Sequence, residues 1–199
     1  MKKSLVILLG VIGVVVLLFL WGVSVNNRLV THDEAVSKAW SQVENVYQRR
    51  ADLIPQLVNT VKGAANFEKS TFTEVVEARA KATSVNIDAN NLSEQNVAAF
   101  QKAQDNLTSA LGRALTVTVE RYPELAATQA FRDLQTQLEG TENRIAVERR
   151  NFNEAVNAYN TTIRRFPTSL LAGMLGFDKK GYFTASEGAD KPVQVEFDF

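Results

Sequence analysis

Residues 36–61 read VSKAWSQVENVYQRRADLIPQLVNTV. Val36, Trp40, Val43, Tyr47, Ile54, Leu57 and Val61 recur at a 4-3 spacing, with Arg50 on the step between Tyr47 and Ile54. A stripe of that period, held over more than four turns, predicts a helix packed along the seam of a bundle. Pro55 lies inside the pattern, yet the stripe keeps its phase through it. An interior proline removes one hydrogen bond and crowds the carbonyl four residues back, at a cost of about 3 kcal/mol. The sequence therefore predicts a kink at Pro55, with the Ala51 carbonyl left free.

Upstream, residues 4–25 read SLVILLGVIGVVVLLFLWGVSV, 17 of them large and apolar, and no charge falls between Lys3 and Arg28. A helix crosses a hydrocarbon core of roughly 30 Å with about 20 such residues. A cleaved secretory signal shares the basic start at Lys2 and Lys3. Its apolar region spans only about 7–15 residues, however, and ends at a small-x-small site, where this chain has Val23 and Val25. We read residues 1–25 as an uncleaved transmembrane anchor, in contact with the lipid bilayer through residues 4–25. The positive-inside bias, Lys2 and Lys3 against Arg28 and Lys38, places the N-terminus in the cytoplasm and the body outside.

Downstream, the period of 3.6 continues. Phe72, Val75, Val76 and Arg79 predict a helix over 67–83. VNIDANN (85–91) reads as a loop, and Ser93 as the cap of a helix carrying Val97, Phe100, Leu107, Leu111, Leu115 and Val119. The last long helix is expected from about Thr128 to Arg165, with Phe131, Leu134, Leu138, Ile145, Phe152, Val156, Tyr159, Ile163 and Phe166 in register, stopped by Pro167. The fold class is all-α: one N-terminal transmembrane helix, then an elongated antiparallel bundle of about four helices over 26–167. Residues 168–199 form a glycine-containing tail. In it Val193, Val195, Phe197 and Phe199 alternate with polar residues as in a β-strand. Such a strand pairs with Tyr182–Phe183, with a neighbouring subunit, or not at all; intersubunit pairing is the preferred reading.

Composition narrows the function. Lys plus Arg equals Asp plus Glu at 22 each, which offers no basic patch for nucleic acid. The chain has no cysteine and one histidine, His32, so thiol chemistry, disulfides, a serine triad and a multi-histidine metal site lack raw material. No catalytic residue, cofactor or metal is expected. The polar residues in and beside the seams, Arg49, Arg50, Asp52, Glu142, Arg144, Glu148 and Arg149, are read as a structural polar layer that fixes register. Long side chains snorkelling outward, or a binding or switching site, are the alternatives. Arg50 is expected to pair with Glu142 or Glu148.

The same residues carry a resemblance. NRLVTHDEAV (27–36) with AWSQVENVYQRRADLIPQLVNTVKG (39–63) resembles the first helix of the LemA family. TENRIAVERRNFNEAVNAYNTTIRRFP (141–167) resembles its last helix, and Gly181–Phe183 its tail. Besides the polar-layer positions other than Glu148, and Glu34 and Pro55, the matching residues are Trp40, Tyr47, Leu53, Asn153, Tyr159, Asn160 and Pro167, for which packing roles are expected. The resemblance implies a bacterial helical bundle on one membrane helix, without an established catalytic activity, whose genes often neighbour a membrane zinc protease. A magnetosome-associated member is linked to membrane biogenesis. The expectation is a non-enzymatic scaffold in the inner membrane that self-associates into a homo-oligomer or organises an envelope assembly. The alternative is an adaptor presenting substrates to a membrane protease or another envelope protein.

Overall fold

A computed structural model describes residues 2–62 and 69–185. The helices are α1 (Lys2–Lys62), α2 (Lys69–Ser84), α3 (Glu94–Arg121), α4 (Pro123–Ala126), α5 (Gln129–Arg164) and α6 (Thr168–Met174). There is no strand among the described residues. The expected strand at 193–199 lies outside them. The architecture is the all-α bundle that the apolar period dictates: α1 packs along α5 and α2 along α3.

Local chemistry sets the boundaries. The Ser93 hydroxyl accepts from the Asn96 N–H at 3.3 Å and caps α3; the Thr128 hydroxyl caps α5 through the Phe131 N–H at 3.3 Å. The Asp88 carboxylate accepts from the Asn90 N–H at 2.8 Å and tightens the loop before Ser93. Pro123 ends α3 and opens α4 at a position where its missing N–H costs nothing.

The body of α1 runs antiparallel to α5. Arg50 meets Glu142, and ten residues back Trp40 meets Phe152, ten residues on. Helix α1 passes from its apolar N-terminal stretch into the bundle without a break. Two apolar cores result. One holds Val25, Leu29, Trp40, Phe100, Phe152 and Phe183; the other holds Ile54, Leu57, Val75, Leu107, Phe131 and Leu138. Arg50, Gln104 and Thr141 are buried at the level between them.

The structure departs from the sequence reading in four places. Phe166, expected on the apolar stripe of the last helix, lies past the end of α5 and is exposed. Val76 and Val119 are exposed, and Thr118 takes the inward position of its turn. Helix α6 forms where the glycines suggested a broken chain. Residues 177–185 lie on the bundle: Phe183 is buried in the same core as Trp40, so Tyr182–Phe183 is occupied by the bundle itself.

Candidate functional site: a buried arginine layer and an amide clasp

Arg50 comes from the seam face of α1 and is 1% exposed. Its Nη1 donates to Thr108 Oγ1 at 2.6 Å and to Glu142 Oε1 at 2.8 Å. Its Nη2 donates to the Gln104 carbonyl at 3.2 Å and to Gln104 Oε1 at 2.6 Å. Four of the five guanidinium donors are filled, and only Nε–H has no partner. The guanidinium also lies 4.9 Å from the Tyr47 ring centre. One side chain thus ties α1 to α3 and α5. Gln104 Nε2 reaches on to the Ala82 carbonyl of α2 at 3.4 Å, so the layer touches four helices. Glu142 is 39% exposed, which leaves the acid half of the pair in contact with water.

Pro55 leaves the Ala51 carbonyl without its helical donor, and Arg79 of α2 supplies one through Nε at 2.7 Å. The backbone defect is thereby turned into an interhelical bond. A cleft of about 250 Å³ opens beside the layer, lined by Glu44, Tyr47, Ala51, Ala82, Phe100 and Gln104. Burial raises the Tyr47 hydroxyl above its ordinary range, against the opposing pull of Arg149 and Arg50. Burial likewise raises the Glu44 carboxyl. The Trp40 indole N–H, one turn before Glu44, makes no hydrogen bond of ordinary geometry.

The second arrangement holds residues 178–184 against the bundle. The Asn160 side-chain amide accepts from the Lys180 N–H at 3.0 Å and donates to the Lys180 carbonyl at 2.8 Å. Asn153, two turns earlier on α5, does the same for Phe183, at 2.9 and 2.8 Å. Gln101 of α3 repeats the pattern on Thr184, at 3.0 Å both ways. Three carboxamides thus give this extended segment the donor-and-acceptor pairing that a neighbouring strand would give. Tyr159 donates its hydroxyl to the Asp178 carbonyl at 2.9 Å, and its pKa is pushed up to about 12 by burial, then by Asp33 and Asp178. The buried Lys180 ammonium meets Asp33 of α1 at 2.7 Å. Gly181 has no room for a side chain: a Cβ there would stand 2.7 Å from the Glu94 Cα. Its N–H donates to the Leu92 carbonyl at 2.8 Å.

The seven residues grouped as one polar layer therefore separate. Arg50 and Glu142 meet. Arg149 joins the clasp, donating to the Thr184 carbonyl at 2.9 Å and lying 4.8 Å from the Phe183 ring centre. Glu148 accepts instead from Asn151 at 3.0 Å, and Asp52 from Gln48 at 2.9 Å; Arg49 and Arg144 are exposed. Among the packing residues, Trp40, Tyr47, Leu53 and Tyr159 are buried, while Pro167 is exposed after α5. Gln101, Gln104, Thr108 and Arg79 carry much of both arrangements and were not singled out for them by sequence, because polar residues of this kind are ordinary on helix surfaces. The signals available were the interrupted seam at Arg50 and, for Asn153, Tyr159 and Asn160, the family resemblance.

Comparison with known proteins agrees with this geometry. Residues 39–197 match the sequence profile of the LemA family. Magnetosome protein MamQ 1 and MamQ 2 of Paramagnetospirillum magneticum are each 30% identical over 185 residues, covering 84% of this chain and 67% of the relative. Protein LemA of Metamycoplasma hominis is 24% identical over 186 residues, covering 94% of this chain and 80% of its own. None of these names is that of an enzyme. Helix α1 is long and apolar enough to cross a membrane, and the chain is accordingly a membrane-associated protein. With the profile spanning both the arginine layer and the clasp, the chain belongs to the LemA family.

Proposed function

We propose that the protein is a non-enzymatic scaffold, anchored in the inner membrane with its N-terminus in the cytoplasm and its bundle outside, that self-associates to organise an envelope assembly. The observation that carries this reading is the unbroken α1, which joins the apolar segment to both cores of the bundle. A body fixed to its anchor in that way presents a defined surface at a set distance from the bilayer. The polar groups support a structural role, since Arg50, Asn153, Asn160 and Lys180 are each engaged in holding the fold. Relatives named for an assembly, the magnetosome, support an organising role as well.

The mass of the detergent-extracted full chain tests the proposal. A single species several times 22.0 kDa is expected. A monomer at all concentrations overturns self-association, and a stable complex with a different membrane protein favours the adaptor reading. Deleting residues 190–199 should reduce the assembly size without loss of helical signal if the tail pairs between subunits. For the orientation, Gly112→Cys, at an open position of α3 in a cysteine-free chain, should react with an impermeant reagent in intact spheroplasts. Reaction only after lysis reverses the topology.

A further inference from the structure

Apolar side chains are exposed over residues 5–23 of α1, and burial begins abruptly at Val25 and Leu29. This marks the level at which the anchor leaves lipid and enters protein. The antiparallel register that sets Trp40 against Phe152 brings Leu29 level with Ile163, near the end of α5, and both belong to one buried core. Helix α6 packs on α1 and α5 at the same end, with Ala172 buried in that core and Leu171 against it. At this level Phe166 and Met174 are each 82% exposed, Leu170 62% and Leu175 50%. Leu170 and Met174, four residues apart, share one face of α6, and Phe166 lies in the turn that leads into it. Exposed Arg164 and Arg165 directly precede Phe166 in the chain, and exposed Arg28 directly precedes Leu29.

We infer that Phe166, Leu170, Met174 and Leu175 form a second membrane contact, a foot that inserts into the headgroup–acyl boundary beside the anchor. Three observations select lipid as the occupant. The patch is carried by a helix that packs beside Val25 and Leu29, directly past the exposed apolar stretch of α1. It lies near the bilayer surface: Leu29 is six residues past Val23, about 9 Å along the helix, a distance comparable with the headgroup layer that flanks the hydrocarbon core. The flanking arginines complement anionic headgroups. The inference rests on the anchored reading of α1, and the test separates the two.

Single-cysteine variants of the full chain, Leu170→Cys and Met174→Cys, carry an environment-sensitive dye in vesicles of phosphatidylcholine and phosphatidylglycerol containing a shallow nitroxide lipid. Leu17→Cys reports the anchor, and Thr136→Cys the far end of α5. Blue-shifted emission and about twofold or greater quenching at 170 and 174, with none at 136, are expected for interfacial insertion. Quenching at 17 but not at 170 or 174 overturns the foot and leaves the anchor standing. No quenching at 17 overturns both. Shielding of 170 and 174 from an aqueous quencher, without quenching by the nitroxide lipid, shows that protein covers the face and overturns the inference.

Discussion

The two polar arrangements of this bundle solve opposite problems. At the boundary of the two cores, a single charge is held by side chains and a carbonyl from other helices. At the clasp, neutral carboxamides hold backbone: Lys180, Phe183 and Thr184 are bound through their peptide groups, with the Thr184 hydroxyl adding one longer contact to Gln101. The first fixes how α1, α3 and α5 slide relative to one another. The second fixes a segment with no ladder of its own. A misplaced arginine disturbs the whole bundle, whereas a lost carboxamide releases a short segment.

The largest expected effect tests the first half of that contrast. Arg50→Ala should cost about 3 kcal/mol, from a guanidinium-sized cavity and the orphaned acceptors of Gln104 and Thr108. Denaturation of the detergent-solubilised chain, followed by helical signal, measures it. Because Glu142 reaches water, the acid is not stranded by this change; Glu142→Gln, which keeps an acceptor for Nη1 but removes the counter-charge of buried Arg50, should cost less, about 2 kcal/mol. Equal losses would make the ion pair itself, and not the packed network, the source of stability.

Asn160→Ala should come next, at about 2 kcal/mol, since it leaves a buried N–H and a buried carbonyl unpaired. Amide exchange should rise at residues 180–184 and stay slow along the middle of α5. Uniform acceleration would dissolve the distinction between a bundle-wide and a local fastening. Arg79→Ala should cost about 1 kcal/mol, and much less in a Pro55→Ala background, where the restored N–H of residue 55 competes for the Ala51 carbonyl. A double-mutant cycle with no coupling would separate the bond from the proline.

The smallest effect is a pH dependence. Tyr159 binds its proton more tightly folded, with a pKa of about 12, than unfolded, at about 10. Its contribution is intact below about 10 and is lost as pH rises toward 12. The alkaline fall in stability should be shallower in Tyr159→Phe. An identical fall would place the alkaline sensitivity elsewhere.

The long helices were legible because each carries an apolar stripe over many turns, and Ser93, Thr128 and Pro123 mark their ends. Arg50 was legible as the one charge on its stripe. The role of the clasp was not: Asn153 and Asn160 stood out only through the family resemblance, as packing residues, because they and Gln101 bind backbone groups that every residue possesses. The chain thus offers no complementary residue to notice. Helix α6 escaped because its seven residues span under two turns, too few to establish a period.

Because α1 has no joint at Val25, the bundle has no orientation independent of the apolar stretch: with that stretch spanning a bilayer, as proposed above, it is a lever whose fulcrum lies there. From Val25 to Lys62 the arm is about 55 Å long. A change of about 10° in the tilt of the spanning segment, of the kind a thinner bilayer produces, would sweep its far end sideways by about 10 Å. In the proposed topology, local membrane thickness would thereby be converted into the position of a surface several nanometres away.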